Sequence, residues 1–223
     1  MPQDDVVVGI DPGFTALGIV VLRRSEFGGI TLVHGEVVKT LKAAQKERSH
    51  LRVTNDDVRR YQDLFRRVQT LLVAHRPHGM GVEAYRVAPR FGRRAPAGVA
   101  GAQEGAQEGA GGGAGAGAKT MAVYGGIVAL GTAMGMYVAP WLPNDLKKRF
   151  TGKQSSSKEE VWAAVARCVA GLPALLERTA KGFREHLGDA AGHAVLTFEE
   201  INRVRNMLGL PAGAAVGPGV SDA

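Results

Sequence analysis

The sequence predicts a mixed α/β fold, with one five-stranded sheet flanked by helices. Two observations carry this reading. The stretch Val6-Val7-Val8-Gly9-Ile10-Asp11 is an apolar, β-branched run that ends in a carboxylate, turns at Pro12-Gly13 and resumes as a second apolar run from Ala16 to Leu22. That is the pattern of a strand, a turn and a returning strand. A long segment of helical period then separates this opening from two further short apolar runs, and a helix after a meander returns the chain to a strand parallel to the first. The sheet is therefore expected to combine an antiparallel meander of strands 1–3 with strands 4 and 5 parallel to strand 1.

Three consecutive valines without polar alternation suit a central strand covered on both faces. Gly28-Gly29 makes the next turn, and residues 30–38 read as the third strand. Over residues 56–74, Val58, Tyr61, Leu64, Val68, Leu71 and Leu72 recur at the helical period, which assigns Arg59, Arg60, Arg66 and Arg67 to the opposite face. Met80-Gly81-Val82-Glu83 is a short apolar approach to a second carboxylate. Residues 119–136, apolar and small, read as a closely packed helix whose glycines permit close approach of another backbone, from a partner subunit, from DNA or within the fold. Residues 137–139 are expected as the last strand. Pro143-Asn144-Asp145 opens a short helix, and Ser157 is placed to cap the next one, with Glu159 and Glu160 in its favourable first turn. One domain is expected over residues 1–208. It carries a Gly/Ala-rich insert at 95–118, containing Gly-Ala-Gln-Glu twice and expected to be mobile, and is followed by a disordered tail at 209–223.

A chain of 223 residues with 45% hydrophobic content can bury a substantial core. No apolar run approaches the roughly 20 residues that cross a bilayer, so no membrane role is expected. Acidic Asp4 and Asp5 stand where a secretory signal would be basic, which predicts a cytoplasmic protein. Cys168 is the only cysteine, which excludes an intramolecular disulfide and a cysteine-based zinc cluster. It falls in the helical stripe Val161, Val165, Cys168, Val169, Leu172 and is expected in the core. The formal net charge of +7 is clustered. Arg86, Arg90, Arg93 and Arg94 form one group, and Lys147, Lys148, Arg149, Lys153 and Lys158 a second. Clustered positive charge suits a polyanion, although a charge run is also an ordinary solvated face.

The carboxylates point to more specific chemistry. Asp-Pro-Gly is an ordinary turn sequence, yet the predicted topology brings Asp11 and Glu83 together at the carboxyl ends of adjacent parallel strands, where open α/β sheets place ligands. His186, Asp189 and His193 lie at i, i+3 and i+7 on one helical face, and Ala190, Ala191 and Gly192 let that helix approach the sheet. Alternatively, His186 and Asp189 form a solvated pair and His193 is a hydrogen-bonded core residue. Three carboxylates and an imidazole in one place suit magnesium, because crowded like charges need a cation and hard oxygen ligands prefer hard ions. Two such ions about 4 Å apart activate a water and stabilise the leaving oxygen of a phosphodiester.

With these residues assembled, the chain resembles the RuvC family of Holliday junction resolvases, nucleases of the RNase H-like fold. The resemblance rests on Gly9-Ile10-Asp11-Pro12-Gly13 with Gly18, on Val82-Glu83, on Leu146-Lys147 followed by Gly152 and Lys158, and on His186-x-x-Asp189-Ala190, in family order over roughly Val6 to Ile201. It implies that Asp11, Glu83 and Asp189 are metal-binding catalytic carboxylates, and that His186 stands where the family carries an acid or a histidine. It implies that Lys147 and Lys158 face DNA near the scissile phosphate. The basic residues Arg86, Arg90, Arg93, Arg94, Lys148 and Lys153 are expected to extend the DNA surface. The family wedges an aromatic into the junction shortly after its second acid, and Tyr85 and Phe91 are both candidates. The implied protein is a Mg²⁺-dependent endodeoxyribonuclease, with Mn²⁺ able to substitute, acting as a homodimer on four-way junctions and other branched DNA.

The insert at 95–118 and the pair Gly192-His193 depart from the family pattern, and Glu185 has no counterpart in it. These departures mark a divergent member, of a phage type, and leave open whether His193 also approaches the metal. Two other readings remain: a catalytically silent junction-binding protein, and an actin-like phosphotransferase, whose first phosphate loop also follows a strand but whose fold needs two such domains.

Overall fold

The computed structural model describes residues 5–42, 53–84, 114–211, 214 and 216. Through its middle runs one sheet in the order β5-β4-β1-β2-β3-β6, built from β1 (Asp5–Asp11), β2 (Ala16–Arg24), β3 (Ile30–Lys39), β4 (Gly79–Glu83), β5 (Tyr137–Trp141) and β6 (Val169–Ala170). Strands β1, β2 and β3 form the antiparallel meander, while β4 pairs parallel with β1 and β5 parallel with β4. This is the RNase H-like arrangement expected, with one correction: the described sheet has six strands, not five. The sixth is a two-residue strand that pairs parallel with Ile30 and Thr31 at the free edge of β3, so β5 is not the last strand. Two residues carry no period from which a strand can be read.

The helices are α1 (Val53–His75), α2 (Ala114–Ala133), α3 (Pro143–Thr151), α4 (Lys158–Cys168), α5 (Leu172–Arg178) and α6 (Arg184–Leu208). They cover both faces of the sheet, because alternate strand residues point to opposite sides. Val8, Ile10, Leu17, Ile19, Met80 and Val82 pack under Leu64, Val68 and Leu72 of α1 and under Val123 and Ile127 of α2. On the other face Val7, Val20 and Leu22 pack under α3, α4 and α6, with Leu146, Val165, Leu187, Ala190 and Ala194 in the same core. Ser157 caps α4 as expected: its hydroxyl accepts from the Glu160 amide at 3.2 Å, and the Glu160 carboxylate accepts from the Ser157 amide at 2.9 Å.

Several side chains differ from the sequence pattern. Val58 is exposed, and Arg60, assigned to the outer face of α1, is buried. Its guanidinium lies 3.9 Å over the Phe14 ring, and its Nε donates to Thr40 Oγ1 at 2.9 Å. A planar, weakly hydrated cation can stack in this way where an ammonium would stay in water. Cys168 is exposed rather than in the core, because α4 ends there and the chain passes into β6, which breaks the phase of the stripe while Val161, Val165, Val169 and Leu172 remain buried.

Helix α2 begins at Ala114, inside the segment read as a loop, and residues 95–113 lie outside the described residues. A Cβ on Gly126 would stand 2.3 Å from the Phe65 ring, and one on Gly131 2.2 Å from the Met80 side chain. These two small residues therefore serve contacts inside the fold. Of the tail from Gly209, the described residues are held: Gly209 closes α6 with φ +65°, Ala214 accepts from Arg205 Nε at 2.7 Å, and Val216 is buried.

Helix α6 packs very closely on the sheet at three glycines. A Cβ added to Gly9 would lie 1.8 Å from the Ala190 carbonyl oxygen, one on Gly18 2.2 Å from that of His186, and one on Gly81 2.4 Å from that of His193. Gly9, Gly18 and Gly81 sit on three adjacent strands, so the backbone of α6 rests directly on backbone. We expect Gly9→Ala to lower the thermal midpoint by the equivalent of about 3 kcal/mol or more, since backbone on both sides leaves little room to relax. Gly125→Ala, where nothing lies within 4 Å of the added Cβ, should raise it by about 0.5–1 kcal/mol. Calorimetric unfolding of the two variants measures both.

Candidate metal centre

Asp11 is the last residue of β1 and Glu83 the last of β4. The parallel register of the two strands, with Ile10 opposite Val82, sets these carboxylates side by side. Both follow a glycine by two positions, so they point to the face on which α6 lies. Asp189 reaches them from α6, and one oxygen from each of Asp11, Glu83 and Asp189 lies within 4.8 Å of the others. His186, one turn earlier on α6, meets the cluster through Asp11, with Nδ1 2.5 Å from Oδ2. Asp189 Oδ1 accepts from the Trp162 indole at 3.1 Å, and its other oxygen lies 3.9 Å from Lys158 Nζ. Lys158 itself donates to Glu185 at 2.9 Å. All of these groups except the Trp162 indole line a cleft of about 370 Å³, together with Lys147 and His193.

The cluster holds more negative charge than its surroundings can balance. Burial, together with repulsion from Glu83 and Asp189, pushes the Asp11 carboxyl up to about 7 against the pull of His186. Asp189 is raised by burial and by Glu83, although the Trp162 hydrogen bond and Lys158 oppose this. Burial also acts to raise Glu83, but His193, a proton on Asp11 and Lys158 outweigh it, and Glu83 ends below the usual range. His186 is raised by its bond to Asp11, and Lys158, despite burial, is held charged by Glu185 and Asp189. A proton retained to neutral pH among three clustered carboxylates marks a place where a hard divalent cation fits, because it would supply the missing positive charge to oxygen ligands.

Of the remaining residues singled out in the sequence, Lys148 and Lys153 are exposed and do not line the cleft. Tyr85, Arg86, Arg90, Phe91, Arg93 and Arg94 lie outside the described residues. Arg149, in the second basic group, is held by Glu199 through contacts of 2.5 to 3.0 Å. Sequence reasoning missed Trp162 and gave no role to Glu185. The signal for Trp162 was its place one turn after Lys158 on the same helix, and for Glu185 its place beside His186 in the first turn of α6.

No protein-family profile and no characterised protein sequence matches the chain. Solved structures do match it. RuvC of Thermus thermophilus superposes with a TM-score of 0.57 at 23% identity, over 89% of this chain and 96% of that one. The same protein in complex with a Holliday junction substrate superposes at 0.56 with 25% identity, over the same shares of the two chains. The chain has the RuvC-like fold. The yeast mitochondrial Holliday junction resolvase shares it, with a TM-score of 0.54 and 13% identity over 91% of this chain and 84% of that one. In this RuvC-like chain, no helix among the described residues is long and apolar enough to cross a membrane.

The electrostatics carry a pH dependence. A carboxyl whose folded pKa is raised contributes stability that is complete below its unfolded value, here 3.8 for Asp11, and is lost as the pH rises through about 7. The raised His186 acts with the same sign. The metal-free protein is therefore expected to lose thermal stability progressively between about pH 4 and about pH 7, and added Mg²⁺ should restore more at the higher pH. Thermal unfolding in chelator and in Mg²⁺ measures this, and a Mg²⁺ effect that is equal at both pH values would contradict it.

Proposed function

We propose that this chain is a divalent-metal-dependent endonuclease that cuts branched DNA, four-way junctions above all, by hydrolysis of backbone phosphodiesters. The observation that carries the reading is the trio Asp11, Glu83 and Asp189, gathered in a lysine-lined cleft on a fold shared with a protein solved in complex with a Holliday junction substrate.

Asp11, Glu83 and Asp189, with His186, would hold Mg²⁺ or Mn²⁺. When bound, the ions supply an activated water and a charge clamp on the phosphate. His186 orients Asp11 through their hydrogen bond, and Trp162 fixes one oxygen of Asp189 so that the other faces the cleft. Lys147 and Lys158 supply positive charge to the scissile phosphate and its developing negative charge. Lys158 must leave Glu185 to do so, because its ammonium is engaged there in the absence of DNA. Symmetric incision of a four-way junction needs two such sites about a two-fold axis, so the active form is a homodimer.

A labelled four-way junction, with linear duplex, flap and fork controls, tests the reading. Mg²⁺-dependent nicking of the junction, abolished by chelator, is expected, and no cleavage of any branched substrate in Mg²⁺ or Mn²⁺ would overturn it. Asp11→Asn should lower cleavage by more than about 100-fold while junction binding, measured by gel shift, is retained. Lys158→Ala should lower cleavage by about 100-fold and reduce the salt dependence of binding by about one phosphate contact.

A further inference from the structure

His193 departs from any ordinary buried histidine. It is 1% exposed, and neither Nδ1 nor Nε2 has a hydrogen-bond partner among the described residues. A buried polar group left unpaired is costly, so such a group normally has a partner in the working state. Glu83 Oε2 lies 3.9 Å from Nε2, just beyond hydrogen-bond reach.

The two residues differ in freedom. The His193 backbone lies against Gly81, and its carbonyl accepts from Thr197 Oγ1 at 2.8 Å, which in turn accepts from the Trp141 indole at 2.9 Å. Glu83 stands at the end of a strand with its side chain 28% exposed, facing the cleft. Glu83 is therefore the partner able to move. His193 also lies outside the group of oxygens gathered by Asp11, Glu83 and Asp189.

We propose that His193 is a positioning residue for Glu83. Its Nε2–H donates to one oxygen of the Glu83 carboxylate and turns the other toward the divalent cation. Donation from Nε2 leaves Nδ1 without a partner among the described residues. This rests on the metal-site reading above and adds to it the residue that sets the orientation of the second carboxylate.

Two measurements without DNA test the assignment. Mn²⁺ affinity, read from the loss of free-ion electron paramagnetic resonance signal, is expected to fall about 10- to 100-fold in His193→Leu. His193→Gln, whose amide can donate from a similar reach, should recover most of it. Wild-type affinity in His193→Leu, or failure of His193→Gln to recover, would overturn the proposal, and failure of the wild type to bind Mn²⁺ would instead overturn the metal site itself. Should the leucine variant not fold, nitrogen-15 NMR of the wild-type imidazole decides the matter. The Nε2–H tautomer, retained and shifted on adding Mg²⁺, is expected. An Nδ1–H tautomer, or loss of the Nε2 proton on adding Mg²⁺, would overturn it, the second because it signals direct ligation.

Discussion

The contact between α6 and the sheet governs the rest of the molecule. Gly9, Gly18 and Gly81 remove the side chains that would otherwise hold the helix away, so its carbonyls come down onto three adjacent strands. The same alternation then decides what stands at the strand ends. On β1 the residues facing α6 are Val7, Gly9 and Asp11, and on β4 they are Gly79, Gly81 and Glu83, so each row of small residues ends in a carboxylate. A helix seated this deeply delivers Asp189 and His186 to those carboxylates without a long side chain or a loop. Glycine in a strand weakens the strand itself. Here its cost is offset by burial of the helix against the three glycine-bearing strands and by the larger apolar residues on the opposite face, Val8, Ile10, Met80 and Val82.

The two ends of α6 solve the problem of buried charge in opposite ways. At its C-terminal end Arg205 is almost wholly buried, yet both oxygens of Asp5 accept from its guanidinium at 2.7 and 2.9 Å, and Arg24 adds a third contact to Asp5 at 2.6 Å. Two cations meet one anion there, and the hydrogen bonds satisfy the carboxylate, which lies below the usual range although burial works against it. At its N-terminal end three carboxylates meet beside Lys158 and two imidazoles, with Lys147 and Glu185 also on the cleft, and burial and mutual repulsion push the Asp11 carboxyl up to about 7. The balanced network has the character of a structural clamp, and the unbalanced one that of a ligand site.

Much of the architecture was legible because it depends on local pattern. The opening valines, the Pro-Gly turn and the helical period of α1 led to the meander, the crossover and the parallel return, and hence to the pairing of Asp11 with Glu83. The same rules failed where a neighbour distant in sequence, or the end of an element, overrides the period. Arg60 is drawn inward by Phe14 and Thr40, Cys168 is turned outward by the end of its helix, and β6 exists only because the edge of β3 offers it a partner.

The sequence by itself determined the residue types of the site and their order along the chain, because strand alternation and helical spacing are properties of contiguous residues. It also carried the glycine two positions before each strand-end acid, Gly9 before Asp11 and Gly81 before Glu83. The tertiary structure alone decided their relations: that His186 bonds to Asp11, that Trp162 holds Asp189, that Glu185 engages Lys158, and that His193 sits unpaired beside Glu83. The physical reason is distance along the chain. These pairs are separated by 27 residues or more, and only the depth at which α6 settles on the sheet determines which side chains meet.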